Sequence, residues 1–135
     1  MDVLEVKAWL SGGRPESEIA RLESSVDRLR GYLDIARSMG VNACGASVER
    51  YAALVSDYVS ELEANAADVR RVISQVPNET QRRVLECRYV HGLTIEQTAD
   101  AVSYCAKSVN RYHAAALESV KAILERRGEW TKTVL

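Results

Sequence analysis

The chain has 135 residues and a mass of 15.0 kDa, which fits one ordinary domain or a module of roughly sixty residues joined to an elongated helical arm. Hydrophobic residues at 47% and charged residues at 27% exclude wholesale disorder and a low-complexity chain. Eighteen Lys and Arg against nineteen Asp and Glu give a net charge of -1, so there is no global positive field and any nucleic-acid surface must be local.

The first residues, Met1 to Glu5, lack a basic stretch leading into a long apolar one, and no segment reaches the ~20 apolar residues of a membrane span. The expectation is a soluble cytoplasmic protein without membrane contact. Cys44, Cys87 and Cys105 are odd in number and dispersed, which argues against a disulfide framework and fits a reducing compartment.

Residues 1–14 read as an N-terminal segment with Trp9 as an anchor. Pro15 suits the first turn of a helix in which Ile19, Leu22, Val26, Leu29, Leu33 and Ala36 alternate steps of three and four. Glycines 40 and 45 interrupt it, and Ser47 offers an N-cap for a second, longer helix. There Val48, Val55, Leu62, Val69 and Val76 recur every seven residues, with Tyr51, Tyr58, Asn65 and Val72 as the second series. Residues 15–76 are therefore expected to form an antiparallel helical hairpin for oligomerisation or other protein contacts. Its predicted oligomer seam is Val48, Tyr51, Val55, Tyr58, Leu62, Asn65 and Val69, with the Asn65 amide either fixing register on the seam or solvated beside Ala66. Nine basic and twelve acidic residues over 1–76 leave this arm at -3, with no basic face for DNA.

Asn78 is placed to cap the next helix, with Gln81 three residues on, and Val84, Leu85 and Tyr89 as its apolar face. After the stop at Gly92, Thr94 and Gln97 have capping-box spacing, and Ile95, Ala99 and Val102 face inward on a two-turn helix. A third helix is marked by Val109, Tyr112, Ala116, Val120 and Ile123. A short helix, a tight turn and a longer helix with polar groups in its first turns predict a helix-turn-helix over 77–127, followed by a tail at 128–135. In a major groove about 12 Å wide, Asn110 suits adenine, Arg111 guanine, and Ala106 or Ser108 a thymine methyl. Arg82, Arg83, Thr94, Lys107 and Lys121 are candidates for phosphates.

The run Leu85-x-x-Arg88-Tyr89-Val90-x-Gly92-Leu93-Thr94-x-Glu96-x-x-Ala99, followed by Ser108-Val109-x-Arg111 and Ala116-Leu117, resembles the promoter-reading region 4 of sigma-70-type RNA polymerase sigma factors. Tyr104-Cys105-x-Lys107-x-Val109-x-Arg111-x-His113 behind a helical hairpin is similar to small phage and prophage regulators, including ArpU-like and RinA-like late-gene activators. The resemblance implies double-stranded DNA as a partner, bacterial RNA polymerase as a possible second one, and groove reading by Ala106, Lys107, Ser108, Asn110 and Arg111. It does not extend to a whole sigma factor, because no second segment resembles the promoter-melting domain. Ser103 stands where the family commonly has a turn glycine, and Cys105 where a serine usually caps the recognition helix, a change worth about 1 kcal/mol unless Ser103 caps instead.

Residues 77–135 carry nine basic and seven acidic groups, a local net of +2. A single copy with so modest a footprint binds weakly at physiological salt, and a dimer joined through the N-terminal helices would raise the apparent affinity. Cys87, His91, Cys105 and His113 lack a Cys-x-x-Cys knuckle and have simpler roles in packing, in the turn, at the cap, and beside DNA or solvent. No cofactor, metal or small-molecule substrate is expected. Tyr104 and Tyr112 are expected in the core, Arg88 is a possible ion-pair partner of Glu96, and Trp130 is a second anchor. No nucleophile elbow, phosphate loop or paired-carboxylate pattern occurs, so an enzyme is not expected. The alternatives are an oligomer resembling a phage small terminase subunit and a helical anti-sigma-like or scaffold protein that does not bind DNA.

Overall fold

The computed structural model describes residues 2–41 and 45–128. Among them the chain is all-α: six α-helices, α1 (Val3–Leu10), α2 (Glu16–Ser38), α3 (Gly45–Ser74), α4 (Glu79–Leu85), α5 (Ile95–Val102) and α6 (Ala106–Arg126), with no strand. A 3-10 turn at Ser11–Gly13 follows α1, and a π-helical turn at Glu86–Val90 extends α4. No helix among the described residues is long and apolar enough to cross a membrane. The described residues pack as two units, one of 2–14 with 65–128 and one of 15–64.

Local chemistry sets the helix ends. The Asp2 carboxylate accepts from Glu5 N at 2.9 Å and the Asn78 side chain from Gln81 N at 3.0 Å. Pro15 precedes α2, whose first turn carries Glu16 and Glu18. Ser47, predicted as a cap, instead lies inside α3, where its hydroxyl accepts from Arg50 at 3.1 Å. Gln81 does not reciprocate the Asn78 cap, because its side-chain oxygen accepts from the Ser119 hydroxyl at 2.7 Å.

In the 15–64 unit, Val26, Val55 and Val59 form the core, flanked by Ile19, Leu22, Tyr51 and Ala52. Hydrogen bonds link Tyr58 to Glu18, Ser25 to Tyr51 and Arg30 to Glu49, so residue numbers fall on one helix as they rise on the other. The pairing is antiparallel. The predicted seam residues therefore have different fates: Val55 is buried against α2, Val48, Tyr51 and Leu62 are half-buried, and Tyr58 is exposed. Val69 is buried in the other unit, and Asn65 is exposed while Ala66 takes the interior place. A straight α-helix drifts ~20° per heptad against a strict seven-residue repeat, and this carries the buried stripe from Val55 through Val59 to Ala66 and Ile73. Because Val55 and Val69 are used inside the chain, they are withdrawn as contacts to a second chain.

The core of the 2–14 and 65–128 unit draws on α1, the end of α3, α4 and α6. Val6 and Leu10 meet Val69, Val72, Ile73 and Val76, with Leu85 and the α6 residues Ala116, Leu117, Val120, Ile123 and Leu124. Residues 2–14 are thus no detached segment, since α1 packs within this core. Trp9 docks at its edge, whereas Trp130, Cys44 and the tail from 129 onward lie outside the described residues. Gly13 is required by close approach: a Cβ there would come within 2.7 Å of the Tyr89 carbonyl oxygen. At the other end of α6, Arg127 donates to both Asp68 oxygens at 3.2 Å, and Asp68 also holds Arg71.

Candidate nucleic-acid interface

A second small core fixes α5 against α6. Val84, Ala99, Val102 and Val109 are buried together, with Cys87, Ile95 and Tyr112 packed on them. Thr94 and Gln97 form a reciprocal cap on α5, with Thr94 N donating to the Gln97 side chain at 2.9 Å and Gln97 N to the Thr94 hydroxyl at 3.1 Å. Thr98 inside α5 is fully buried, and its hydroxyl has no hydrogen-bond partner.

The link between the helices is Ser103, Tyr104 and Cys105. Ser103 adopts φ 62° and ψ 38°, the left-handed geometry that a glycine takes without strain. Ser103 ends α5, and Cys105 is the residue before α6. The Cys105 side chain makes no capping bond to the backbone; its Sγ lies 3.4 Å from the Ser108 hydroxyl. That hydroxyl, with the backbone N–H groups opening α6, holds the thiol below its ordinary pKa.

Along the first turns of α6, Ala106, Lys107, Asn110, Arg111 and Ala114 are exposed, Ser108 is half-buried and Val109 is wholly buried. The five base-reading candidates thus occupy consecutive turns, with the exposed ones on a single face. Arg111 Cζ sits 5.6 Å from the Tyr112 ring centroid, and Tyr112 in turn lies 5.2 Å from the Tyr104 ring. Tyr104 is not core as predicted: it is 43% exposed at the turn, while Tyr112 covers the small core.

The phosphate candidates are more scattered. Arg83 is exposed, but Arg82 donates to the Val76 carbonyl at 2.9 Å and so secures the chain entering α4. Thr94 is exposed at the start of α5. Lys121 is half-buried and lies four turns along α6 from Lys107, about 21 Å away at ~1.5 Å per residue. Arg88 donates to the Leu93 carbonyl at 2.8 Å and makes no ion pair with Glu96.

His113, predicted beside DNA or solvent, instead stacks on Tyr89 with ring centroids 5.7 Å apart, and its Nε2 is 2.8 Å from the Tyr89 hydroxyl. Burial, then the nearby Arg88 and Lys7 charges, pull its pKa from 6.5 down to about 4. The unfolded chain therefore binds this proton more readily. The resulting contribution to stability is complete above pH 6.5 and is lost as pH falls toward about 4. For a ring still half open to water it should amount to about 1 kcal/mol. Urea unfolding at pH 7 and pH 4 will show a smaller loss for His113→Gln than for wild type; equal losses would contradict this assignment.

Among the described residues, no group of three His, Cys, Asp or Glu side chains is gathered to hold a metal. No family model matches the chain, and comparisons with curated proteins and with solved structures return no match.

Proposed function

We propose that the chain is a sequence-specific DNA-binding transcription regulator of phage or prophage type, in which α5, the Ser103–Cys105 turn and α6 act as a sigma-region-4-like helix-turn-helix. The observation that carries this reading is the division of labour on α6. Val109, Ala116, Leu117 and Val120 anchor the helix, while Lys107, Asn110 and Arg111 are exposed to solvent, Arg111 with its guanidinium over the Tyr112 ring. Small Ala99 at the α5–α6 contact admits close crossing of the two helices. Asn110 and Arg111 then read base edges, and Lys107 and Arg83 take phosphates. RNA polymerase is the second partner of this reading, by resemblance to sigma region 4. With Lys107 and Arg83 on phosphates in each copy of a dimer, about four cations in all, log affinity for duplex DNA should fall against log salt with a slope of roughly -3 to -4. Fluorescence anisotropy on a labelled duplex tests this, and a slope near zero, or no binding at low salt, would count against it.

The same reading takes the active species as a homodimer joined through the 15–64 unit. Seven of the nine exposed large apolar side chains among the described residues lie there. Tyr32 and Ile35 on α2 with Met39 at its C-cap, and Leu54 and Tyr58 on α3, recur at steps of three and four. Because the helices are antiparallel with Ser25 opposite Tyr51 and Glu18 opposite Tyr58, the α2 stripe lies toward one end of the pair and the α3 stripe toward the other, so a two-fold partner lying antiparallel would set each stripe on the other. Arg28 on the first stripe and Glu61 on the second make the face complementary to another copy of itself. Light scattering should give twice 15.0 kDa for wild type and 15.0 kDa for the Ile35→Glu, Leu54→Glu double variant. A monomeric wild type would contradict the dimer, and a larger ring would favour the terminase-like alternative.

A further inference from the structure

We propose that Arg14 is a phosphate contact of this DNA surface, delivered to it by the N-terminal segment; the proposal rests on the DNA-binding reading above. Two close approaches fix the segment. Gly13 lies against the Tyr89 carbonyl, with no room for a Cβ, and the Arg14 guanidinium occupies the space that a Cβ on Gly92 would fill. Gly92 itself has φ 67°, in the turn leading to α5. Residues 88–93 are thus gripped twice by arginines: Arg14 packs on Gly92, and Arg88 donates to the Leu93 carbonyl at 2.8 Å.

Arg14 is exposed, and no carboxylate lies within ion-pairing distance of it among the described residues. A guanidinium seated on glycine backbone, with its donors unspent, is prepared for an anion arriving from solvent. Its seat is two residues before Thr94, where α5 begins, and the first helix of a helix-turn-helix crosses the sugar-phosphate backbone. The ligand chemistry that matches is a phosphodiester oxygen pair, which a guanidinium fork takes bidentately and without regard to base sequence. Tyr89, whose carbonyl abuts Gly13, stacks on His113, and the Lys7 and Arg88 charges lie close enough to act on that ring.

The test is duplex binding of the full chain by fluorescence anisotropy across a salt series, with wild type, Arg14→Gln, Arg14→Lys and Arg111→Ala in parallel. Arg14→Gln should reduce the magnitude of the log-log salt slope by about 0.9 for each bound copy, about 1.8 for a dimer, and weaken binding several-fold at low salt, roughly equally for specific and random duplexes. Arg14→Lys should keep the wild-type slope, while Arg111→Ala should lose the difference between specific and random duplexes. A wild-type slope for Arg14→Gln, with wild-type protein binding DNA, would overturn the Arg14 contact alone. Failure of wild-type protein to bind any duplex would overturn the DNA reading and the contact with it. Circular dichroism melting of Arg14→Gln should match wild type; a lowered melting temperature with an unchanged slope would mean that the residue serves packing instead.

Discussion

Leu10→Ala will lower the unfolding free energy by about 3 kcal/mol, within the 2–5 kcal/mol range of buried leucine truncations. Leu10 is wholly buried among the α3, α4 and α6 side chains, so its loss removes apolar burial and leaves a cavity whose lining is held by other helices. The size of the effect separates two views of residues 2–14. If α1 were an appendage, truncation would cost a few tenths of a kcal/mol, as is expected of Leu4→Ala, where the side chain is 74% exposed. Equilibrium urea unfolding of the two variants against wild type decides between them, and near-wild-type stability for Leu10→Ala would remove α1 from the core.

Arg111→Ala will weaken binding to a preferred duplex by about 10- to 100-fold, equivalent to the ~1–3 kcal/mol of a bidentate arginine–guanine contact. The side chain is exposed in the second turn of α6, and the Tyr112 ring beneath its guanidinium is itself braced by Tyr104. Truncation should therefore spare the fold and act on recognition. The loss should be confined to duplexes with guanine at one position. Lys107→Ala, which removes an exposed cation without base discrimination, should weaken all duplexes alike. Anisotropy titrations on a preferred duplex and on the same duplex with that base pair exchanged test both statements, and equal losses on the two for Arg111→Ala would contradict base readout by this residue.

Much of the helical pattern was legible because its signals are local. The Thr94–Gln97 cap, the Asn78 cap, the stop at Gly92 and the buried series Val109, Ala116, Val120 and Ile123 all follow from residues within a few positions of one another. Readings that needed a partner distant in sequence fared worse. His113 on a mostly polar stretch gave no sign that Tyr89, 24 residues earlier, would stack on it. Tyr104, expected in the core, stands 43% exposed beside the left-handed Ser103 turn. Gln81 had suitable spacing to reciprocate a cap, yet a hydroxyl on α6 claims it.

The α1 helix carries only short-range signals. Asp2 with Glu5 three residues on is a capping pattern, and Val3, Val6 and Leu10 fall on one face, but eight residues are too few for a periodicity to stand alone. On the interface itself, the exposure of Lys107, Asn110 and Arg111 follows from the helical period, whereas the approach of Arg14 to Gly92 depends on a tertiary contact across the chain. The seven-residue repeat of α3 does not form a single seam. Real helical geometry hands its positions to two separate cores.

Sequence-specific readout by α6 is tested most directly by selecting bound duplexes from a random DNA pool with the 135-residue wild-type chain. The account predicts one enriched motif containing a guanine whose preference disappears in a parallel selection with Arg111→Ala. Recovery of an unenriched pool even at low salt, or an identical motif from both proteins, would contradict it.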